Sequence, residues 1–383
     1  MSSEIRPARV LALARRTLSC PTAPFREGAV MAWVLEFVAE RRHLAVRVDR
    51  DGNMLVSRRG VRRGASPLVL SAHMDHPGFR ARASRRVNGR WTVSAQFLGG
   101  VRPEFFRGAR ALFFSPAGEV RAAVTHVRHD RARGELETSL HAAKEVPAGA
   151  FGMWDLPAFR LAPRERGVLE SRAVDDLAGV AAALALLDVV DRIDPRKQVD
   201  IRALFTRGEE VGFVGALAVA CGRRLPRRAR IVSLEASKAF AHAPQGAGPI
   251  LRVGDRTSSF DDGLTRWMAR VATALAGPRG KGFRWQRRLM DGGTCEATAF
   301  QLYGYRSAAL CVPLGNYHNM SEDGTIRLES IHASDLVGLV RLLEGLVKHD
   351  GDCPAPGVTD PLRRRLDRGL RRRRRDLARD PFA

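Results

Sequence analysis

The chain has 383 residues, 45% of them hydrophobic, enough to bury a large core and longer than most single domains. Its five cysteines (Cys20, Cys221, Cys295, Cys311 and Cys353) are scattered without CxxC spacing, which argues against a disulfide framework or a thiolate zinc site. The apolar stretch VLALA near the start is too short for a signal-peptide core, and no later run reaches a membrane span. Together these features predict a soluble, cytoplasmic protein.

The formal charge is +23, of which the segment 361–383 carries +7 through ten arginines and three aspartates. The remaining body is therefore basic as well. No nucleic-acid motif accompanies the charge, so a basic solvated surface is the reading preferred over nucleic-acid binding. The run Arg371 to Arg375 is the one segment suited to RNA or another anionic surface.

Taken in chain order, residues 5–18 and 26–42 carry apolar positions at helical spacing, and Pro21 and Pro24 interrupt them. The stretch LAVRVDRDGNMLVSRR alternates polar and apolar residues around Asp51-Gly52-Asn53 and predicts a hairpin. PLVLSAHMD then reads as a buried strand with His73 and Asp75 at its C-terminal end. From Gly78 to about Leu169 short β-like pieces divided by Gly and Pro predict an inserted β-rich domain over 78–166, with 1–77 and 167–350 forming the main domain.

Beyond it helix and strand alternate: DDLAGVAAALALLDVV as helix, VDIRALFTRG as strand, EEVGFVGALAVA as helix and RARIVSLEA as strand. A second set runs through DDGLTRWMARVATALA, RSAALCVPL and a final helix SIHASDLVGLVRLLEGLVKH. This rhythm predicts an α/β fold with a mixed, mainly parallel sheet flanked by helices, where sites form at the carboxyl ends of strands. The end of the chain, 351–383, rich in Pro and Arg, reads as disordered.

Potential metal ligands or bases fall just after the apolar strand-like runs: His73 and Asp75, Asp175-Asp176, Glu209-Glu210, Glu235 and His318. Separate strand ends of a parallel sheet deliver such side chains to one crevice, which is what a metal centre with oxygen and nitrogen donors needs. Taken singly each has a plainer explanation, since an acidic pair before a helix also suits a helix N-terminus. Their common placement, each with a glycine nearby, favours the site.

The strings HMDHPGF, AVDDLAG, TRGEEVGFVGA, SLEASKAF and VPLGNYHNMSE resemble the co-catalytic zinc aminopeptidases. The 101 residues between His73 and Asp175 are similar to the gap in the tetrahedral (TET) glutamyl and deblocking aminopeptidases, which insert a β-rich dimerisation domain there. The resemblance covers roughly residues 5–350. It implies that Asp175 bridges two divalent metals, with Zn the first expectation and Co or Mn also suited. His73 and Glu235 would complete one site, and Glu210 and His318 the other. It further implies Glu209 as general base, Asp75 as the partner of His73, short peptides as substrates, and a homo-oligomer between a dimer and a dodecamer.

Three positions depart from the family pattern: Glu235 stands where Asp is usual, GGTCEA replaces GGTDA, and GNYHN replaces an arginine-and-tyrosine lead-in. Cys295 reads as a small buried residue, since no adjacent His activates it. The rival enzyme reading is a dimetal amidase or deacylase acting on acylated amino acids. A non-catalytic or RNA-associated protein of the same fold is the alternative from another class.

Overall fold

The computed structural model describes residues 5–61, 66–130, 135–194, 197–278, 280, 282–354, 363–368 and 370–371. Most of the 351–383 segment, including Arg372 to Arg375, lies outside the described residues. An eight-stranded mixed sheet forms the centre. Its order is Leu44–Val48, Met54–Arg58, Ile201–Thr206, Leu68–His73, Arg230–Lys238, Arg306–Leu314, Ile250–Gly254, Gln286–Leu289. The four middle strands run parallel. The expected hairpin adds antiparallel at one edge, and Ile250–Gly254 runs antiparallel to Arg306–Leu314 at the other.

Parallel strands covered on both faces read as continuous apolar runs, because each alternate side chain meets a helix layer. Leu68, Leu70 and Ala72 join the larger core with the helices Pro7–Leu18, Leu177–Asp191 and Ala333–Lys348. Val69, Leu204 and Ile231 point to the opposite face, against Val214–Cys221 and Glu296–Leu302. The helix Leu177–Asp191 is apolar all round, and every residue except Asp191 is buried, as a central helix requires.

Two boundaries differ from the sequence expectation. The segment EEVGFVGALAVA does not start as an α-helix: Glu209–Val211 forms a separate 3-10 turn, and the helix begins at Val214. Gly212 at φ 107 and Phe213 at φ 58 are left-handed and cannot continue a right-handed helix. The last helix likewise starts at Ala333 instead of Ser330, because Glu329–His332 is a strand pairing antiparallel with Val168–Ser171.

Between the first and second halves of the main sheet, six antiparallel strands close into a small barrel. They are Gly78–Val87, Arg90–Leu98, Arg110–Ser115, Gly118–Asp130, Glu135–Ala142 and Phe151–Trp154. Its interior is aromatic, with Phe79, Phe97 and Phe106 around Trp154 at ring separations of 4.9, 5.3 and 5.1 Å. Phe159–Leu161 pairs with Val168–Ser171 and belongs to the three-stranded sheet beside the main domain. No helix among the described residues is long and apolar enough to cross a membrane. All five cysteines are free thiols.

Candidate functional site

Sheet register brings the candidate residues together. His73 ends its strand opposite Thr206, so the chain leaving Thr206 carries Glu209 and Glu210 past the imidazole. On the other side Ser233 pairs with Ser71, which places Glu235 level with His73. Asp175 sits just before the central helix, and His318 follows Arg306–Leu314 on a short 3-10 turn.

The result is a set of overlapping groups whose donor atoms lie within 4.8 Å of one another: His73, Asp175 and Glu235; Asp175, Glu210 and His318; and His73, Glu209 and Glu210. Asp175 is shared. Its Oδ1 lies 3.5 Å from His73 Nε2 and its Oδ2 lies 3.7 Å from His318 Nε2. Glu210 Oε1 stands 3.2 Å from His318 Nε2, and Glu209 Oε2 stands 3.8 Å from His73 Nε2. The glutamate at 235, for all its extra methylene relative to aspartate, is held within the first group, and Ser233 Oγ donates to its Oε1 at 3.1 Å.

Asp175 Oδ1 and Glu210 Oε1 are buried with no well-aligned hydrogen bond, and the donors facing them are the imidazole nitrogens of His73 at 3.5 Å and His318 at 3.2 Å. An unsatisfied buried carboxylate oxygen is costly, and a cation is the natural remedy. Two imidazoles and several carboxylates, with no thiolate among them, form a donor set that fits divalent Zn, Co or Mn.

The adjacent acidic pair divides its labour. Asp176 caps the central helix, accepting from Gly179 N at 3.1 Å, and leaves Asp175 free to face the centre. Asp75 does more than accompany His73. Its Oδ1 is 3.6 Å from His73 Nδ1, beyond a good hydrogen bond, while its two oxygens accept from Glu209 N at 2.9 Å and Glu210 N at 3.1 Å. The imidazole itself meets the Asp75 carbonyl at 3.1 Å. Asp75 thus fastens the glutamate turn to the His73 strand.

Two further buried carboxylates act alike and carry no signal in the sequence. Glu329 accepts from Val174 N, Asp175 N and His318 N at 2.7, 3.0 and 2.8 Å, tying the Asp175 and His318 loops to one side chain. Glu27 accepts from Gly208 N at 3.1 Å and from Arg207 Nε at 2.8 Å, bracing the glutamate turn from the N-terminal helices. His76 completes the surroundings, with Nδ1 2.7 Å from the Asp175 carbonyl and Nε2 3.0 Å from Asn319 Oδ1.

The segment GNYHN has unusual backbone. Asn316, His318 and Asn319 all adopt left-handed backbone, with φ of 53, 54 and 64°, a region Asn visits more readily than most residues. A non-glycine held there at a histidine facing other donors is typical of a functional site. Tyr317 stacks on His318 at 3.8 Å.

Burial raises Glu209 and Glu235, the surrounding carboxylates raise the two imidazoles, and Asp175, although buried, is held below its ordinary value by His73 and His318. Burial and the neighbouring Glu210 push Glu209 well above its ordinary value, against the pull of His73. Burial likewise lifts Glu235 to about 8 despite His73 and Arg252. Burial opposes the charged form of His318, but Glu210 and Asp175 outweigh it and raise the group to about 9. His73 is also raised well above the usual imidazole value, Glu209 and Asp175 outweighing its burial.

In the metal-free protein the folded state therefore holds protons that the unfolded chain releases near pH 4.3 for Glu and 6.5 for His. Each raised group stabilises the fold most below its unfolded pKa and loses that contribution as pH rises through the folded value. We expect the Tm in chelator to fall between pH 6.5 and 8.5, and the Tm gain on adding Zn to grow over the same range, because binding needs deprotonated ligands. Thermal scans at the two pH values, with and without metal, check both signs; a chelated protein more stable at pH 8.5 contradicts them.

The centre opens on a cavity of about 270 Å³, lined also by Lys238, Phe240, Arg252, Met290, Thr294 and Tyr317. Arg252 is buried, donates through Nη1 to Ser237 Oγ at 3.1 Å, and keeps its Nε without a partner. Cys295 is outside this lining and 1% exposed, its N–H donates to Asp255 Oδ2 at 3.1 Å, and burial pushes its thiol well above the usual range. That environment suits a packing residue, not a nucleophile. Glu296 beside it is equally buried and accepts from Ser71 Oγ at 2.5 Å, beneath the His73 strand.

A mainly parallel sheet with acids and imidazoles converging at its strand ends, beside a closed β-barrel, is the frame in which the site sits. The sequence model of the M42 glutamyl aminopeptidase family matches residues 52–335, and the chain belongs to that family. No sequence among curated proteins matches it. Among solved structures it is similar to the Pyrococcus horikoshii TET1 peptidase, described as assembling into a tetrahedron or a large octahedral shell. There the identity is 20%, with 88% of this chain and 99% of that one covered and a TM-score of 0.69. A TET aminopeptidase from a marine sediment Thaumarchaeota archaeon gives 20% identity, 89% and 97% coverage, and a TM-score of 0.71. An aminopeptidase from Desulfurococcus kamchatkensis gives 17% identity, 92% and 99% coverage, and a TM-score of 0.71.

Proposed function

We propose that this chain is a dimetal-dependent aminopeptidase that removes N-terminal residues from short peptides, acidic ones above all. The observation that carries the reading is Asp175, whose two carboxylate oxygens face two separate histidine–carboxylate groups. His73 and Glu235 would hold one divalent ion, Glu210 and His318 the other, and Asp175 both. Such a pair, when bound, would lower the pKa of a shared water and polarise the scissile carbonyl. Glu209 would take the proton from the attacking water and pass it to the departing amine, since its Oε2 stands 3.8 Å from His73 Nε2 at the edge of the donor groups. Asp75 and Glu27 keep the glutamate turn in place for that transfer.

Arg252 and Lys238 line the same cavity, which supports a carboxylate-bearing substrate: an N-terminal Glu or Asp side chain. The same two cations support a second reading, a deacylase in which they meet the α-carboxylate of an N-acylated amino acid. The similarity to TET assemblies supports a homo-oligomer, to be measured by light scattering. Hydrolysis of aminoacyl amides by the metal-loaded protein, with Glu and Asp beside Leu and Lys and each with its N-acetylated counterpart, separates the readings. Free acidic amides should be cleaved at least tenfold faster than the others; a preference for the acetylated set overturns the aminopeptidase in favour of the deacylase.

A further inference from the structure

The main domain does not hold His318 alone. Gly100, in the loop after the barrel strand Arg90–Leu98, presents its carbonyl 2.9 Å from His318 Nδ1. A carbonyl only accepts, so in the neutral imidazole this contact places the ring proton on Nδ1 and turns the Nε2 lone pair toward Glu210 and Asp175. A Cβ added at Gly100 would meet His318 Nδ1 at 3.3 Å and Cε1 at 3.4 Å, so the loop lies against the ring with no room to spare.

The chain following His318 is bound to the barrel as well. Met320 and Ile326 face each other across an isolated antiparallel bridge, and both pack against the barrel's aromatic core. His318 thus begins a small hairpin whose apolar base is seated on the barrel. His73 and Glu235 lie on strands of the main sheet, and Asp175 directly precedes the central helix.

We propose that the inserted barrel is a working part of one metal site, fixing the tautomer and position of His318, so that disturbing the barrel contact weakens the Glu210–His318 site selectively. The proposal rests on the dimetal reading above. In this arrangement Gly100, Met320 and Ile326 are positioning residues that act through His318. The carbonyl supplies the acceptor that a metal-binding imidazole ordinarily needs on its second nitrogen, the kind of outer contact whose loss costs about 10–100-fold in metal affinity.

The test is calorimetric titration of the chelator-stripped full chain with Zn, comparing wild type with Gly100→Ala and with Met320→Ala/Ile326→Ala, each checked for native circular dichroism. The first variant presses on the ring and the second loosens the hairpin seat, so they perturb His318 by different routes. Wild type should bind two equivalents. In both variants one binding step should weaken at least tenfold while the other stays within about twofold. Two unchanged steps, or two steps weakened equally, would overturn the proposal while leaving the dimetal reading intact. A wild-type chain that binds fewer than two equivalents would instead remove the reading beneath it. If one variant fails to fold, the other still decides.

Discussion

Glu209→Gln should lower kcat for peptide hydrolysis by about a thousandfold, inside the range of 10²–10⁴ that a positioned general base supplies. The amide keeps the size and most of the packing of the carboxylate, and the turn that carries it is fastened through backbone N–H groups to Asp75, not through the side chain. Two bound metals per chain and a KM within about twofold of wild type should therefore survive. A kcat within tenfold of wild type would transfer the base role to another group.

Asp175→Ala should have the widest effect of any single change, because one carboxylate serves both groups of donors. Both metal affinities should fall by more than the hundredfold upper range of outer-shell changes, and hydrolysis should fall to background. His73→Ala, by contrast, removes a donor from its own groups and leaves Asp175, Glu210 and His318 together. Elemental analysis after gel filtration distinguishes the two. Equal metal loss in both variants would mean that Asp175 does not join the sites.

Much of this arrangement is legible in the sequence, for reasons that can be stated residue by residue. Strands buried on both faces are apolar throughout, so PLVLSAH and IRALFT stand out, and the polar residues that end them mark the crevice. The hairpin around Asp51-Gly52-Asn53 is legible because its turn chemistry is local. The break after Glu209-Glu210 is not: GFVGALAVA has helical composition, and only the left-handed backbone at Gly212 and Phe213 sets the turn apart. That separation frees both glutamates from helical geometry and lets Asp75 bind their amides.

Glu27 and Glu329 are illegible for a different reason. Each is an isolated glutamate whose role depends on accepting N–H groups from segments far away in sequence, 181 residues in the case of Glu27 and Gly208. No periodicity or local motif records such a contact. The strand Glu329–His332 is similarly hidden, since four residues ahead of a long amphipathic helix merge with its pattern until their partner Val168–Ser171 is known. Asp175-Asp176 carries both meanings of an acidic pair at once, one residue capping the helix and the other facing the centre, so neither simple reading of it was complete.

The central claim is that two metals held around Asp175 drive removal of an N-terminal residue. Its most direct test is Zn titration of chelator-stripped protein while following release of glutamate from a glutamyl peptide. Activity should be absent without metal, rise to its full value by two equivalents per chain, and be absent toward the same peptide with its α-amine acetylated. Full hydrolysis in the stripped protein, or equal hydrolysis of the acetylated peptide, would contradict the account.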